Sequence, residues 1–541
     1  LIPSLIDCKF ENPSEMCPAF MGSEEDYPFE YTPLYYGVQK NGKPPISFPM
    51  EYIDEAFKCM GRRLVSGKRV REPQVLSYKE AVMGLPEVIV EDKFDDGIDP
   101  YYGKIELSTS AGWPYTTERF KKKYGIGSNS KSAWIKIEYD KNGLPIDCCI
   151  HDRILGDLVE ADKWRRQGIP AINVFQDCLK DEKRKITKVN SEGGTRLFSM
   201  SNVQGTIALR RFTLDLIEHL RLNRISNSIC VGINADSMEW TILAQTLKMK
   251  GENFFTTDFS NFGASLDYNV AMRFSDLIKW FYKLNAEQEL MVYALCEELF
   301  ASRHVVGNLI YRVFCGSPSG ASITVEINSF VHLMYITLSW IIISKVVVEL
   351  RGAPHCSGRL TLQYCELREY LSGLDYEFET MDLEDFKRNV GLAVYGDDGL
   401  FSVSNKYREV FNAVTINLVL KEHGIGVTDA TKSEKILKYG KLEEMTFLKR
   451  SFVPNELMPH LLYAARIDWK VVEECVRWIH VKPYEPEVAT RENCMSSLLL
   501  CWGHGQKKYE EWRTFLNESL ESIGLDGIDI TWENIAFMYY P

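Results

Sequence analysis

The stretch "AVYGDDGLFSV", Ala393 to Val403, sets two adjacent aspartates between two apolar runs. This pattern, with a glycine on each side of the acidic pair, predicts a β-hairpin that carries Asp397 and Asp398 at its tip. Adjacent carboxylates repel each other, and an unpaired buried carboxylate is costly. Divalent cations would relieve the repulsion, because they keep carboxylates ionised. The hairpin alone is equally compatible with an exposed acidic turn.

Metal-dependent chemistry at this hairpin requires a further carboxylate from elsewhere in the chain. Asp258 closes the β-prone run "NFFTTDFSNF", Asn253 to Phe262, and an adjacent strand would bring it beside Asp397. Magnesium takes one or two carboxylates and fills its other positions with water and phosphate oxygens. Two metal ions roughly 3.5–4 Å apart clamp the attacking and leaving oxygens of a phosphoryl transfer. Taken alone, Asp258 is more typical of a strand-end turn or a helix cap.

The segment "CGSPSGASITVEINSF", Cys315 to Phe330, combines a loop of small residues with the start of a helix. Ser319, Thr324 and Asn328 are spaced so that they should lie near one helical face or at its N-terminal edge. Their hydroxyl and amide groups are suited to hydrogen-bond a sugar. A simple N-cap role for Ser319 is the alternative. A hydrolase nucleophile elbow is excluded, because "GSPSG" does not match G-x-S-x-G.

Basic residues are spread through "CLKDEKRKITKVNSEGGTRLF", at Lys180, Arg184, Lys188 and Arg196. Such cations can neutralise a triphosphate, although a solvated charged hairpin is the alternative. Further upstream, "STSAGWPY" is followed closely by "RFKKKYG". This second region is suited to line a channel for a single-stranded nucleic-acid backbone, with Trp113 or Tyr115 near the bases. A turn followed by a charged surface is the alternative there.

The composition is that of a globular protein, with 45% hydrophobic and 26% charged residues. A length of 541 residues predicts two or three subdomains. The formal net charge of -12 argues against nucleic-acid binding unless basic groups are concentrated locally. None of the 14 cysteines forms a C-x-x-C pair, which favours reduced thiols in an intracellular protein.

The opening "LIPSLIDCKFENPSE" does not have the pattern of a secretory signal. The segment from Phe330 to Leu350 is strongly apolar, but His332, Lys345 and Glu349 interrupt or bound it. A buried helix that runs on into a strand-like "KVVVEL" is therefore favoured over a membrane span. The sequence thus predicts that the chain has no transmembrane anchor of its own.

Together these blocks resemble the motifs of RNA-dependent RNA polymerases from positive-strand picornavirus-like viruses. The similarity runs from about Ser108 to Arg450, and the "SNFG" sequence with Gly263 favours an iflavirus-like or dicistrovirus-like insect-virus relative. The matching blocks, in the family's order, are "TSAGWPY", "KDEKRKITK" with Arg196, "DFSNFGASL", "PSGASITVEIN", "YGDD", "TDATKSE" and "TFLKR".

The resemblance implies an α/β (α+β) right-hand polymerase fold. An antiparallel palm sheet would be backed by helices, and the fingers and thumb would close into a ring. The implied domains are fingers at 1–205 with the first palm-entry helices near 206–230, palm at 206–268, a fingers insert at 269–312, the second part of the palm at 313–455 with an insertion at about 349–388, and a helical thumb at 456–541.

The resemblance also implies roles for individual residues. The implied catalytic residues are Asp258, Asp397, Asp398 and Lys432, of which the three aspartates would bind Mg²⁺ (with Mn²⁺ as a substitute) and Lys432 would be a general acid for pyrophosphate. The implied NTP-binding residues are Lys180, Arg184, Lys188, Arg196, Ser319, Gly320, Thr324 and Asn328. The implied RNA-binding residues are Thr109, Ser110, Lys449 and Arg450.

The implied activity is template-directed nucleotidyl transfer from NTPs to an RNA 3′-OH. The implied partners are an RNA template and primer, a genome-linked protein primer and other viral replication proteins. The implied location is the host cytoplasm, at membrane-associated viral replication complexes.

One residue of the first palm motif departs from the family pattern. The family usually carries a second aspartate five residues after the first, where this chain has Gly263. That aspartate takes part in recognising the ribose 2′-OH, which distinguishes RNA from DNA. Ribose selection must then depend more on Asn328, Ser319 and Thr324, or on water that fills the vacated space. We therefore predict weaker rejection of dNTPs, or a rearranged hydrogen-bond network.

Two other classes of protein compete with this interpretation. A reverse transcriptase shares the paired-aspartate hairpin, and Phe262 keeps this alternative open, but the Ser/Thr/Asn helix argues against it. A non-catalytic RNA-binding or scaffold protein could retain a degenerate palm. The joint presence of Asp258, Asp397, Asp398 and Lys432 argues against that second class.

Overall fold

An antiparallel four-stranded sheet at the centre of the molecule carries the acidic hairpin. The computed structural model describes residues 1–24, 27–88, 102–351, 363–375, 381–428, 436–455, 461–480 and 482–540. The strands are β1 Ile2–Pro3, β2 Met16–Pro18, β3 Ile135–Tyr139, β4 Pro145–Ile150, β5 Val174–Leu179, β6 Lys183–Lys185, β7 Leu197–Met200, β8 Asn253–Phe259, β9 Arg303–Val306, β10 Leu309–Arg312, β11 Val390–Tyr395, β12 Asp398–Val403, β13 Val427–Thr428, β14 Thr446–Phe447, β15 Arg450–Pro454, β16 Tyr463–Ile467 and β17 Trp478–Ile479.

Helices pack around this sheet and form most of the remaining ordered structure. They are α1 Pro33–Gln39, α2 Met50–Val65, α3 Tyr78–Met83, α4 Glu118–Tyr124, α5 Asp152–Arg165, α6 Ile186–Val189, α7 Val203–Leu222, α8 Met238–Lys248, α9 Tyr268–Phe281, α10 Ala286–Phe300, α11 Thr324–Leu350, α12 Cys365–Ser372, α13 Leu383–Asn389, α14 Ala413–Glu422, α15 Trp469–Cys475, α16 Pro486–Cys501, α17 Gln506–Glu521 and α18 Trp532–Tyr539.

The central sheet has the strand order β11-β12-β8-β13, and every neighbouring pair is antiparallel. β8 and β12 are almost entirely buried, so both faces of these strands are covered. Asp258 and Asp398 are the half-buried positions in the two strands. The strand pattern predicted for "NFFTTDF" and for both arms of the hairpin is confirmed.

Helix α11 packs behind this sheet and runs without a break for 27 residues. It is apolar on all sides, as expected of a helix buried in the core of a large protein. It is also long and apolar enough to cross a membrane, but 89% of its most apolar window is buried inside the fold. The expectation that "KVVVEL" forms a strand is wrong, because packing against neighbouring helices overrides the weak strand preference of valine.

A second four-stranded sheet has the order β10-β9-β5-β7 and carries the basic segment at one edge. β5 pairs in parallel with β9 and antiparallel with β7. The backbone N–H of Gly320 donates to the carbonyl of Ser199 at 2.9 Å, and Ser199 lies in β7. This contact joins the second sheet directly to the loop that precedes α11.

The N-terminal residues pack into the C-terminal helical region. β1 pairs with β17, and Ile6 shares a buried core with residues of α15, α16 and α17. The Ser4 hydroxyl donates to the carbonyl of Val476 at 2.6 Å, and the Arg477 guanidinium donates to Asp7 at 2.7 Å. Because β2 pairs with β6, the same N-terminal segment also reaches the basic segment. The N-terminal segment therefore connects the C-terminal helical region with the basic segment, as the expected closed ring requires.

The stretch at about 349–388 lies partly outside the described residues, at 352–362 and 376–380. Its described part includes α12, whose Leu367 and Leu371 are fully buried in the main core. Arg368 forms an ion pair with Glu349 at the end of α11. Helix α12 is therefore an integral part of the core beside α11 and α14.

Candidate active site

The acidic hairpin closes with a two-residue turn. β11 and β12 are paired from Val390 opposite Val403 to Tyr395 opposite Asp398, which leaves Gly396 and Asp397 as the turn residues. Gly396 has a φ of +63°, whereas Asp397 is not among the residues with positive φ. A positive φ at the first turn position alone defines a type II′ turn, which strongly favours glycine there. The turn exposes Asp397 at its tip and leaves Asp398 half-buried.

The strand register brings Asp258 to the same place. In the ladder between β12 and β8, Gly399 pairs with Thr257 and Leu400 with Thr256. One further step along this register sets Asp398 opposite Asp258. Residues directly opposite each other in an antiparallel pair lie on one face, with Cβ atoms about 4.5–5.5 Å apart. Asp258 and Asp398 therefore lie side by side at the end of the sheet, next to the turn that carries Asp397, and carboxylates this close to each other favour a bound cation.

These carboxylates suit an ion such as magnesium, which needs few protein ligands, better than an ion that must be enclosed by protein ligands. Among the described residues there is no cluster of three or more His, Cys, Asp or Glu side chains that could enclose a metal ion. Magnesium does not require such a cage, because it usually binds one or two carboxylates and completes its shell with water and phosphate oxygens. Carboxylate oxygens on adjacent strands, open to solvent at the turn, have this donor chemistry.

The loop before α11 is fixed by hydrogen bonds of two predicted nucleotide-binding residues. The backbone N–H of Ser199 donates to the Ser319 hydroxyl at 3.1 Å. The Thr324 hydroxyl donates to the carbonyls of Pro318 and Ala321, both at 2.8 Å. The helix begins at Thr324, so Ser319 lies on the preceding loop and is not the N-cap.

Asn328 lies one turn into α11 and faces the turn that contains Gly263. Its Oδ1 atom is buried and accepts no hydrogen bond from any residue in the described ranges. A Cβ built on Gly263 would lie 3.8 Å from Asn328 Nδ2. The carbonyl of Gly263 accepts a hydrogen bond from the N–H of Ser317 at 2.7 Å. The position of the missing aspartate is therefore directly beside the amide that it would have contacted.

Two of the predicted NTP-binding cations are held by one carboxylate. Glu182 forms ion pairs with Lys180, at 3.2 Å, and with Arg196. Hydrogen bonding to Glu182 raises the pKa of Arg196 above its usual value, and the charge of Asp397 adds to the rise. Arg196 is thus close enough to the hairpin to be influenced by the charge of Asp397.

The other two cations of this segment lie nearby, Arg184 within β6 and Lys188 in α6, the short helix that follows it. The Arg184 guanidinium donates to the carbonyl of Gly194, and Lys188 is exposed. Burial lowers the pKa of Arg184, and the charge of Arg196 lowers it further. Mutual repulsion between like charges of this kind is relieved by a bound polyanion.

Sequence reasoning missed Lys40, which belongs to the same basic cluster. Burial lowers the pKa of Lys40 below its usual value, and the charges of Arg184 and Lys188 lower it further. Its Nζ donates to the carbonyl of Gly193 at 2.5 Å, and its own carbonyl accepts from the Asn261 amide at 3.0 Å. No local sequence signal marks Lys40, because the chain reaches this cluster only through tertiary structure.

Two of the predicted RNA-binding residues lie on the loop before α4. Thr109 is exposed and accepts a hydrogen bond from the buried Lys131, and Ser110 is half-buried and bridges to Ser130. The expectation that Tyr115 packs near bases is wrong, because Tyr115 is only 1% exposed and donates its hydroxyl to Asp157. Trp113 is half-buried.

The other two predicted RNA-binding residues lie at the hairpin of β14 and β15. Arg450 makes a bidentate ion pair with Asp236, at 2.6 and 2.9 Å. Lys449 is exposed at the turn, where Leu448 and Lys449 have φ values of 53° and 61°. Positive φ at both turn positions is typical of a type I′ turn, which disfavours residues with a Cβ. Lys432 lies outside the described residues.

We predict that Lys449 adds a positive charge to the turn but lowers the stability of the protein, because its backbone has a positive φ. Lys449→Gly should be more stable than Lys449→Ala by about 1–2 kcal/mol, because only glycine adopts this φ without strain. Both variants remove the same charge, so both should weaken RNA binding to the same extent. Thermal unfolding and fluorescence titration with a primer–template would check the two effects. Equal stability of the two variants would contradict the strained turn.

Comparison with known families agrees with these observations. The family model described as viral RNA-dependent RNA polymerase matches residues 74–523, which is most of the chain. The chain therefore belongs to the viral RNA-dependent RNA polymerase family, and the prediction from its motifs is confirmed. The Sicinivirus 3Dpol RNA-dependent RNA polymerase superposes with a TM-score of 0.74 over 99% of this chain and 94% of its own, at 18% identity. That match confirms the right-hand polymerase fold.

Relatives among the curated proteins are viral polyproteins. The Deformed wing virus genome polyprotein is 28% identical over 99% of this chain, and the Acute bee paralysis virus replicase polyprotein is 26% identical over 90%. The chain spans only 17% and 23% of their respective lengths. These iflavirus and dicistrovirus matches confirm the expected kind of relative. The Cherry rasp leaf virus RNA1 polyprotein is 30% identical over 79% of this chain, and the match covers 18% of that polyprotein.

Proposed function

We propose that this chain copies positive-strand viral RNA by template-directed nucleotidyl transfer, through a site built on Asp258, Asp397 and Asp398. The observation that carries the proposal is the strand register that sets Asp258 opposite Asp398, next to the turn that exposes Asp397. Asp258 and Asp397 would hold two Mg²⁺ or Mn²⁺ ions, and Asp398 would support them. When bound, such ions lower the pKa of a primer 3′-OH and stabilise the leaving pyrophosphate.

The nucleotide would enter between the basic cluster and the loop before α11. Lys180, Arg184, Lys188 and Arg196 would bind its triphosphate, with Lys40 adding a fifth cation, and Lys432 would donate a proton to pyrophosphate. Ser319, Gly320, Thr324 and Asn328 would shape the sugar site. Among the described residues the Oδ1 of Asn328 has no hydrogen-bond donor, which supports this role, because a buried acceptor without a donor is costly until a ligand supplies one.

Thr109, Ser110, Lys449 and Arg450 would contact the RNA backbone. Exposed Thr109 and Lys449 support this assignment most directly. In this proposal, the domains are fingers at 1–205 and 269–312, palm at 206–268 and 313–455, and thumb at 456–541. The acidic net charge does not oppose RNA binding, because the basic groups are concentrated beside the site.

Primer extension on a defined RNA template tests the proposal. We expect extension of an RNA primer by complementary NTPs only when Mg²⁺ or Mn²⁺ is present. A DNA template and dNTPs provide the comparison that distinguishes a reverse transcriptase. Extension that persists in excess EDTA, or that prefers dNTPs, would overturn the proposal, and so would binding of RNA without extension under any metal condition.

A positive charge in the basic cluster should contribute to NTP binding only where it faces the site. We predict that Arg196→Ala raises the KM for NTPs roughly 10- to 100-fold, because a hydrogen bond to a charged group contributes about 1.5–3 kcal/mol. Lys185→Ala is the matched control. Lys185 belongs to the same segment, but its charge helps to lower the pKa of Glu15. Steady-state kinetics should give an unchanged KM for that control. Equal effects of the two substitutions would indicate a general charge effect.

The relatives of this chain also indicate where the proposed activity takes place and with which partners. The relatives are replicase or genome polyproteins of RNA viruses. We place the proposed activity in the host cytoplasm, at membrane-associated replication complexes, with other viral replication proteins and a genome-linked protein primer as partners. Extension from a uridylylated peptide would test the primer.

A further inference from the structure

His332 lies on α11 and hydrogen-bonds both the turn that carries Asp397 and the strand that carries Asp258. Its side chain is fully buried. Its Nδ1 lies 3.1 Å from the carbonyl oxygen of Gly396, and its Nε2 lies 2.9 Å from the hydroxyl of Thr257. Each of these partners immediately precedes an aspartate in the chain, Asp397 and Asp258 respectively. The imidazole therefore bridges the turn and the neighbouring strand from behind the site.

The partners define which nitrogen carries the proton. A carbonyl oxygen can only accept, so Nδ1 must carry a hydrogen and donate it to Gly396. Burial lowers the pKa of His332 to about 3, so the ring is neutral at pH 7. Nε2 is then without a hydrogen and accepts from the hydroxyl of Thr257. A neutral ring with a fixed tautomer holds both groups in one geometry.

Both backbone polar groups of Gly396 are hydrogen-bonded by side chains of α11. Its N–H donates to the Ser329 hydroxyl at 2.8 Å, while its carbonyl accepts from His332 three residues further along the helix. The ring also lies directly against the hairpin backbone, since a Cβ built on Gly399 would lie 2.5 Å from His332 Cε1. Glycine is required at Gly399 for this close approach.

We infer that His332, together with Ser329, is a positioning residue that fixes the turn carrying Asp397 relative to the strand carrying Asp258. This inference rests on the proposed function. Thr257 and Asp258 are consecutive strand residues, so their side chains lie on opposite faces of the sheet. The Thr257 hydroxyl thus holds the strand from the helix side while Asp258 faces the reacting groups. Groups that orient metal-binding side chains typically change metal affinity or activity 10- to 100-fold when they are replaced.

Four substitutions separate positioning from simple packing. His332→Leu removes both hydrogen bonds, whereas His332→Gln keeps one donor and one acceptor. Thr257→Val and Ser329→Ala each remove one hydroxyl. Thr337→Val is the matched control on the same helix, because the Thr337 hydroxyl donates only to the carbonyl of Leu333 within the helix.

We expect His332→Leu to lower kcat about 10- to 100-fold with the KM for NTPs within about twofold of wild type. His332→Gln should recover most of the loss, and Thr257→Val and Ser329→Ala should each show a smaller decrease in kcat. Thr337→Val should match wild type. Wild-type kcat in His332→Leu, or equal losses in His332→Leu and His332→Gln, would overturn the inference. If His332→Leu does not fold, wild-type kcat in both hydroxyl variants overturns it instead.

Two readouts do not depend on activity. In protein with ¹⁵N-labelled histidine, one of the nine imidazoles, identified by its loss in His332→Gln, should be neutral with the proton on Nδ1. Calorimetric titration with Mn²⁺ should give weaker binding in His332→Leu than in Thr337→Val. A proton on Nε2, or equal Mn²⁺ affinity in both variants, would overturn the inference. An inactive wild-type enzyme would refute the proposed function and leave these two results to decide the inference.

Discussion

Replacing Asp258 or Asp397 by Asn should lower primer extension by roughly a thousandfold or more. Charge stabilisation by a metal ion contributes several kcal/mol to a phosphoryl-transfer transition state, and each 1.36 kcal/mol is a factor of ten in rate. The carboxamide keeps the size of the side chain but loses the negative charge that holds a cation. Affinity for a primer–template should stay within about twofold, because the predicted RNA contacts lie elsewhere, at Thr109, Ser110, Lys449 and Arg450.

The three carboxylates should not contribute equally. Asp398 supports the site in our proposal, so Asp398→Asn should retain more activity than Asp397→Asn. Asp140→Asn is a matched control, because Asp140 lies at the turn of an unrelated hairpin, between β3 and β4. Single-turnover extension rates and fluorescence anisotropy would measure the two effects. An Asp397→Asn enzyme with near wild-type extension would overturn the assignment.

The strands and helix at the centre of the fold could be predicted from the sequence, because they depend on short-range patterns. The alternation of apolar residues around "GDD" predicts a hairpin, and the continuous apolar run after Thr324 predicts a buried helix. The strand-like "KVVVEL" misled because β-branched residues have only a weak preference against helix, which packing within the core overrides. Local sequence therefore identifies elements but does not fix where a buried helix ends.

The proximity of Asp258 to the hairpin could be predicted, but the exact pairing of strands and side chains could not. The register that sets Asp258 opposite Asp398 depends on pairing between β8 and β12, which are far apart in the chain. The ion pairs of Glu182 with Lys180 and Arg196 are local, yet the sequence shows only that opposite charges are near each other. His332 interrupts an apolar run and signals an unusual group, but its two partners are visible only in the folded protein.

Gly263 should make this enzyme less selective for ribose, and restoring a carboxylate there should sharpen the selection. The rejection of dGTP relative to GTP should therefore be modest in the wild type. We predict that Gly263→Asp increases that discrimination about tenfold, which corresponds to about 1.4 kcal/mol. Single-nucleotide incorporation of GTP and dGTP opposite cytosine would measure both ratios.

The structure has room for this side chain. Gly263 does not have a positive φ, and a Cβ built there meets only Asn328 Nδ2 at 3.8 Å and the carbonyl oxygen of Ser317 at 3.9 Å. These are ordinary contact distances, so the substitution should not strain the fold. A carboxylate at this point can accept a hydrogen bond from the Asn328 amide and turn Oδ1 towards a ribose 2′-OH. A site built to hydrogen-bond a hydroxyl rejects a ligand that lacks it.

Two variants determine whether Asn328 mediates the effect. Gly263→Ala adds the Cβ without the carboxylate, so its discrimination should equal that of the wild type. Asn328→Ala should lower discrimination in the wild-type background and remove the gain in the Gly263→Asp background. Strong rejection of dGTP that persists in Asn328→Ala would show that another group recognises the 2′-OH. An equal gain in Gly263→Ala would instead assign the effect to the volume of the side chain, because space alone would then exclude the wrong sugar.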